Sequence, residues 1–413
     1  MQKQEQRLYY LDNLKILLAI LVISVHLALA YGPEVWWFYK SNLESPMLLV
    51  YYEVLSTICM GLFFLISAYF IPLSYDKKGS SKFLRSRFKL YIIPIILGLF
   101  FIVLPLHYIY NFNFRHNDYN NFFEYTKHIF FGIGGKPQNW YDKWLTVWPD
   151  FKFAHLWFLE HLLIYSSVYT LIKKFNKKPI IKINENTMPP SAITILVCIA
   201  IMSIVTFIIR IWFPLDCWGG LFGFIQMEYA NVPKYIMFVC IGILGYRFNW
   251  FSIFSKSQGK KWLILGIILL ILTFMGKGKF NFIVAKGGLN WESFIWSSWD
   301  CLMCMSLNIG LIVSFRESLN FTSPFIKLLS KNTFGVYIFH VPIITFMQFG
   351  LASINLPIGV KFGMELILGT VLSFTIAHLI RCLCNSNMYF KKFFVKELIK
   401  IDTELSNPLE PSI

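Results

Sequence analysis

Apolar runs of about twenty residues recur along the whole chain, separated by polar stretches, as a ~30 Å hydrocarbon layer requires of spanning helices. Ten such runs lie at about 10–31, 48–73, 88–110, 153–172, 191–213, 232–247, 262–276, 291–315, 332–350 and 357–380, the sixth and seventh being the shortest. In lipid every backbone N–H and C=O must be satisfied within the segment, so these runs predict helices and an all-α polytopic membrane protein of about ten spans. Residues 1–400 then form one transmembrane domain. The polar tail 401–413, with Pro408 and Pro411, is expected to be disordered.

The first run breaks its own pattern. It carries Asp12, Asn13, Lys15 and His26, and ionisable groups inside a span cost a few kcal/mol each, so they are functional candidates. Eleven residues at about 100° each return to within roughly 20°, which puts Lys15 and His26 on one helix face about 16 Å apart. A cation near one surface and an imidazole about halfway across therefore share a stripe.

Composition agrees with the pattern. Of 413 residues, 56% are hydrophobic and 15% charged, against 45–50% and about 25% in soluble domains. With the N-terminus placed in the cytoplasm, the cytoplasmic segments hold 25 of the 38 lysines and arginines and 9 of the 22 acidic residues. The net +16 then lies on one side, as the positive-inside rule asks, with both termini cytoplasmic. That accounts for the basicity without nucleic acid. No cleavable signal is evident, since the first run is too long and lacks a small-residue cleavage site. The eight cysteines suggest no disulfide framework, and Cys301-x-x-Cys304 has no second pair or histidine cluster to make a metal site.

Candidate chemistry is scattered rather than motif-like, because no Gly-x-Ser-x-Gly elbow, phosphate-binding glycine loop or His-Glu-x-x-His helix is present. His26, which can take a proton near neutral pH, and Asp12 are the candidate catalytic residues. Lys15, Arg85 and Arg87 are candidates for a phosphate-bearing donor, the two arginines lying at the cytoplasmic mouth of the third span. His155, Glu160 and His340 are candidate acceptor contacts. Glu160 and Arg210, on neighbouring spans, are expected to pair. Asp300, about midway through its span, is expected to share a buried polar cavity with His26 and His340. His107, His116, His128 and His378 fall at span ends or in loops and suggest no function. In the outer loop of about 111–152, Phe112, Phe114, Tyr119, Phe122, Phe123, Trp140, Tyr141, Trp144 and Trp148 suit either a carbohydrate or an interfacial belt.

The segment Tyr10-Leu11-Asp12-Asn13-Leu14-Lys15, with His26 beyond it, resembles the signature of the membrane acyltransferase family 3. Gly61 to Phe70, Phe83-Leu84-Arg85-Ser86-Arg87 with Pro94, His155-Leu156-Trp157-Phe158-Leu159 and Tyr337-Ile338-Phe339-His340 are similar, in order, to later segments of that family. The chain departs at Leu90, where relatives often have a second arginine three residues after the one matching Arg87. The resemblance implies a cell (inner or plasma) membrane enzyme that O-acylates carbohydrates, closest to the glucan-modifying succinyl-transferring branch. It implies acyl-CoA as donor substrate, no permanently bound cofactor, His26 as the essential base and Arg87 as a donor contact, with transfer of an acetyl or succinyl group. Outside the resemblance, buried His, Asp and Lys in ten spans also suit a proton-coupled carrier or flippase of a glycan or small metabolite, or a non-catalytic scaffold.

Overall fold

Each predicted apolar run forms a long helix. The computed structural model describes residues 7–33, 36–115, 121–135, 150–176, 188–215, 217–221 and 225–386. The helices are α1 (Tyr9–Leu29), α2 (Pro46–Lys78), α3 (Ser80–Arg115), α4 (Trp157–Phe175), α5 (Ala192–Trp212), α6 (Val232–Arg247), α7 (Lys256–Gly276), α8 (Trp291–Ser318), α9 (Pro324–Gly350) and α10 (Ile358–Ser386). Among the described residues, eight of them are long and apolar enough to cross a membrane. The other two are α4, which carries Glu160, Lys173 and Lys174, and α6, which has only 16 residues. All eight cysteines are free thiols.

Local chemistry sets the ends. Ser45 accepts a hydrogen bond from Leu48 N–H and is followed by Pro46, while Ser323 does the same for Ile326 before Pro324; a capped end followed by proline is a strong helix start. Ser255 and Gln258 form a capping box, so α7 begins six residues before the apolar run that predicted it. The tail 401–413, and the loop residues Tyr119, Trp140, Tyr141, Trp144 and Trp148, lie outside the described residues.

The first helix is enclosed by protein. α1 packs on α2, α8, α9 and α10, and Leu11, Leu14, Leu18, Ile23 and Leu27 on it are fully buried. Its polar residues therefore face neighbouring helices rather than lipid. The α2–α6 pair closes tightly at Gly242, where a Cβ would lie 2.4 Å from the carbonyl oxygen of Leu65. Two strands, β1 (Trp218–Leu221) and β2 (Ile225–Glu228), pair antiparallel with Trp218 opposite Glu228. They form a hairpin between α5 and α6. α3 departs from α-helical winding at Leu99–Val103 and Asn111–Arg115, which are π-helical. Such widened turns rotate the residues between them relative to a regular helix, and are frequent at functional sites.

Candidate active site

A cavity of about 750 Å³ opens between the ends of α1, α2 and α3, the loop before α4, the β1–β2 hairpin and the segment after α7. His26 and His155 line it, together with Trp36, Trp37, Trp157 and Trp218, and with Glu53, Glu228, Lys152, Lys277 and Lys286. Its segments are those that the charge count assigns to the outer side. Two of its lining residues, Ala154 and Val284, have φ of 45° and 58°. Side chains other than glycine adopt this left-handed region at a cost, and such strain gathers at functional sites. Burial pulls the Lys152 ammonium below the ordinary lysine range, against the opposing pull of Asp150.

Three histidines from three segments meet at this cavity. The ring centroids of His26 and His340 are 4.8 Å apart, and those of His155 and His340 5.3 Å. Their partners assign the tautomers of the neutral rings, because a carbonyl oxygen only accepts. Nδ1 of His340 faces the carbonyls of Val336 (3.1 Å) and Tyr337 (2.9 Å) and so carries the proton, leaving Nε2 as an acceptor. Nδ1 of His26 donates to Val22 O at 2.8 Å and lies 3.3 Å from that Nε2 of His340. The lone pair of His26 is thus on Nε2. His155 Nε2 donates to Ile338 O at 2.9 Å. Sequence explains that bond: Pro342, inside α9, has no N–H to give the carbonyl four residues back, which is Ile338. The Tyr337 hydroxyl also donates to the backbone carbonyl of His155. A proline gap in one helix therefore seats a histidine from another.

Hydrogen bonds at Gln226 clamp the hairpin to α4, beside an edge contact of Trp157 with Trp218 at 5.6 Å. Gln226 N–H donates to Glu160 Oε2 (3.1 Å), its carbonyl accepts from His161 Nε2 (3.0 Å), and its side-chain Oε1 accepts from Phe153 N–H (3.0 Å). The Tyr165 hydroxyl supplies the other ring nitrogen of His161 at 3.2 Å. Glu160 is thereby a wall anchor, and the expected pair with Arg210 does not form.

Arg210 instead donates to Asp300 at 2.8 Å, and Lys234 pairs with the same carboxylate oxygen. All three are buried, Arg210 and Lys234 fully. Arg210 also reaches Ser297 (3.3 Å) and Asn231 (3.1 Å), and Asn231 donates to Glu228 at 2.7 Å. Asp300 is therefore bound into an ion cluster off the cavity rather than sharing one with His26. The reason is that two cations, Arg210 from α5 and Lys234 from the first turn of α6, converge on it.

The remaining candidates lie at the far end of α1. Asp12 pairs with Arg7 (2.8 Å) and lies 3.8 Å from Lys15, whose ammonium stands 4.9 Å over the Phe70 ring. Fourteen residues separate Asp12 from His26, about 21 Å along the helix, so Asp12 belongs to the cation end and not to the imidazole. Arg87 is buried, donates to the Tyr91 hydroxyl at 3.3 Å and lies over Phe83, while among the described residues its Nε has no hydrogen-bond partner. Arg85 is exposed and does not join it. Of the described outer-loop aromatics, Phe112, Phe114 and Phe123 are exposed and none of the four, Phe122 included, lines the cavity.

A family model described as an acyltransferase domain, acyltransferase-3, matches residues 8–382. The chain belongs to the acyltransferase-3 family. Among similar proteins are the glucans biosynthesis protein C of Escherichia coli K12, 26% identical over 254 residues, and that of Shigella dysenteriae serotype 1, 26% identical over 253 residues. In both cases the match covers 59% of this chain and 59% of the relative, so the chain spans about three fifths of the length of the curated relatives it matches. No solved structure matches. This acyltransferase-3 chain holds functional candidates that the sequence pattern passed over. They are His107, Trp36, Trp37, Glu228 and the hairpin, all lining the cavity. The consecutive tryptophans directly after the first span were the one available signal.

Proposed function

We propose that this protein is an integral membrane O-acyltransferase that moves an acetyl or succinyl group from cytoplasmic acyl-CoA to a hydroxyl of an extracytoplasmic carbohydrate. The observation that carries the reading is His26, whose Nε2 lone pair belongs to a ring lining a cavity of about 750 Å³. Four tryptophans and several charged side chains beside it offer flat apolar faces and hydrogen-bonding groups, a mixture suited to the C–H faces and hydroxyls of sugars. The similarity to glucans biosynthesis protein C supports a glucan as the acceptor class.

In the proposed step Nε2 of His26 takes the proton of the acceptor hydroxyl as its oxygen attacks the thioester carbonyl. The C–S bond then breaks, and the imidazolium returns the proton to the departing sulfur. The positive charge that forms on His26 is stabilised by Nε2 of His340, an acceptor 3.3 Å from Nδ1. At the other end of α1, Lys15 and the buried Arg87, with its unpartnered Nε, suit the phosphates of the coenzyme. The positive-inside distribution supports a cytoplasmic orientation for that end, and the proposed location is a cell (inner or plasma) membrane. The test is to incubate the purified protein in lipid discs with acetyl-CoA or succinyl-CoA and glucan oligosaccharides, and to weigh the sugars by mass spectrometry. An added acyl mass supports the reading. No thioester turnover with any sugar sinks it in favour of a carrier.

A further inference from the structure

The cavity has a second polar patch that the acyl-transfer step does not use. His107 is 2% exposed, yet among the described residues neither of its ring nitrogens has a hydrogen-bond partner, and the indole Nε1 of Trp36 is likewise buried without one. The two rings are neighbours, with centroids 5.5 Å apart, and both line the cavity. Buried polar atoms are nearly always matched, so three bare ones on adjacent rings mark a place where something else supplies the partner. Around them lie apolar faces: Phe38 is 5.6 Å from His107 and Tyr110 is 5.0 Å from Trp36. A continuous line of rings connects the patch to the base, since Phe38 is 5.2 Å from Trp37 and Trp37 is 5.5 Å from His26.

We propose that Trp36 and His107 form a second sugar subsite, which holds a glucan unit other than the one being acylated. The proposal rests on the carbohydrate reading above. The indole N–H only donates, whereas a neutral imidazole offers one donor and one acceptor. A sugar hydroxyl accepts and donates at once, so it bridges the two rings, accepting from the indole N–H and donating to the bare imidazole nitrogen, and a second hydroxyl takes the imidazole N–H. No hydrogen bond holds the imidazole in its present rotamer, and turning it toward the cavity breaks none. His107 reaches this wall because it lies between the two π-helical stretches of α3. The subsite selects acceptors longer than one sugar and leaves the neighbouring unit beside His26.

The test is calorimetric titration of the full chain, without donor, with glucose and with a glucan tetrasaccharide. His107→Phe and Trp36→Phe weaken tetrasaccharide binding by about tenfold, the usual effect of losing a hydrogen bond in a sheltered site. Neither changes the response to glucose, and His107→Gln, which keeps a donor and an acceptor, restores affinity to within about threefold of the native protein. Equal binding by native protein and His107→Phe overturns the proposal, as water filling the patch would give that result. It is overturned too by no tetrasaccharide binding to the native protein, or by His107→Phe weakening acetyl-CoA in place of the glucan. Acyl transfer to the same tetrasaccharide is followed in parallel by mass spectrometry. Binding as predicted without transfer sinks the acyltransferase reading and leaves the subsite standing.

Discussion

Two groups of ionisable residues are buried within this helical assembly, and they are built in opposite ways. Arg210 and Lys234 share the carboxylate of Asp300 on adjoining helices, with Ser297 and Asn231 taking further donors of the guanidinium, and none of the three lines the cavity. His26, His155 and His340 are held by backbone carbonyls and by each other, and two of them line the cavity. The first arrangement spends every charge on the fold. The second fixes which nitrogen carries each proton and leaves the other nitrogen of His26 and of His155, the two rings that line the cavity, outside those hydrogen bonds. Burial of a charge thus separates into two roles according to what the partner is. An opposite charge makes a structural joint, and a carbonyl on one side of an imidazole makes a base on the other.

Substitutions can break that contrast, and the largest effect falls on the joint. Asp300→Leu leaves two cations buried without their carboxylate, and losing one partner of such a cluster costs about 3–5 kcal/mol. Thermal melting in detergent is the measurement, and an unchanged melting temperature would show that the cluster is not structural. Next comes His340→Phe, which fills the space but removes the acceptor beside His26. The rate constant of transfer is expected to fall about 10- to 100-fold, the worth of a hydrogen bond to a developing charge, with the acceptor KM unaltered. Smallest is Glu160→Leu, which leaves the Gln226 N–H bare and frees one edge of the hairpin. It raises the acceptor KM by about tenfold at nearly native kcat, and a changed kcat instead would move Glu160 from the wall to the chemistry.

The sequence showed one half of this contrast more readily than the other. Long apolar runs dictate helices, because lipid leaves the backbone no alternative, and the ten runs became α1 to α10. His26, His155 and His340 were visible as polar residues within or beside such runs. Their mutual contact was not, since it depends on α1, α9 and the turn before α4 meeting in space. Pairing was the weak point for the same reason. Depth along a helix suggested Glu160 for Arg210, but rotation about the axis decides contact, and it gives Arg210 to Asp300 and Glu160 to Gln226. Asp12 shares a helix with His26, yet helix rise alone keeps them about 21 Å apart. His107 was passed over because only the π-helical turns of α3, invisible as a pattern, bring it beside Trp36.

The claim that His26 supplies the base through an open cavity has a direct test. Transfer from acetyl-CoA to a glucan oligosaccharide is timed in a single turnover for native protein and for His26→Ala, the latter with and without added imidazole. Loss of a general base lowers the rate by about 10²- to 10⁴-fold. The account predicts a fall of that size at an unchanged melting temperature, and partial recovery as imidazole enters the vacated space. Transfer by His26→Ala at the native rate without imidazole would contradict it.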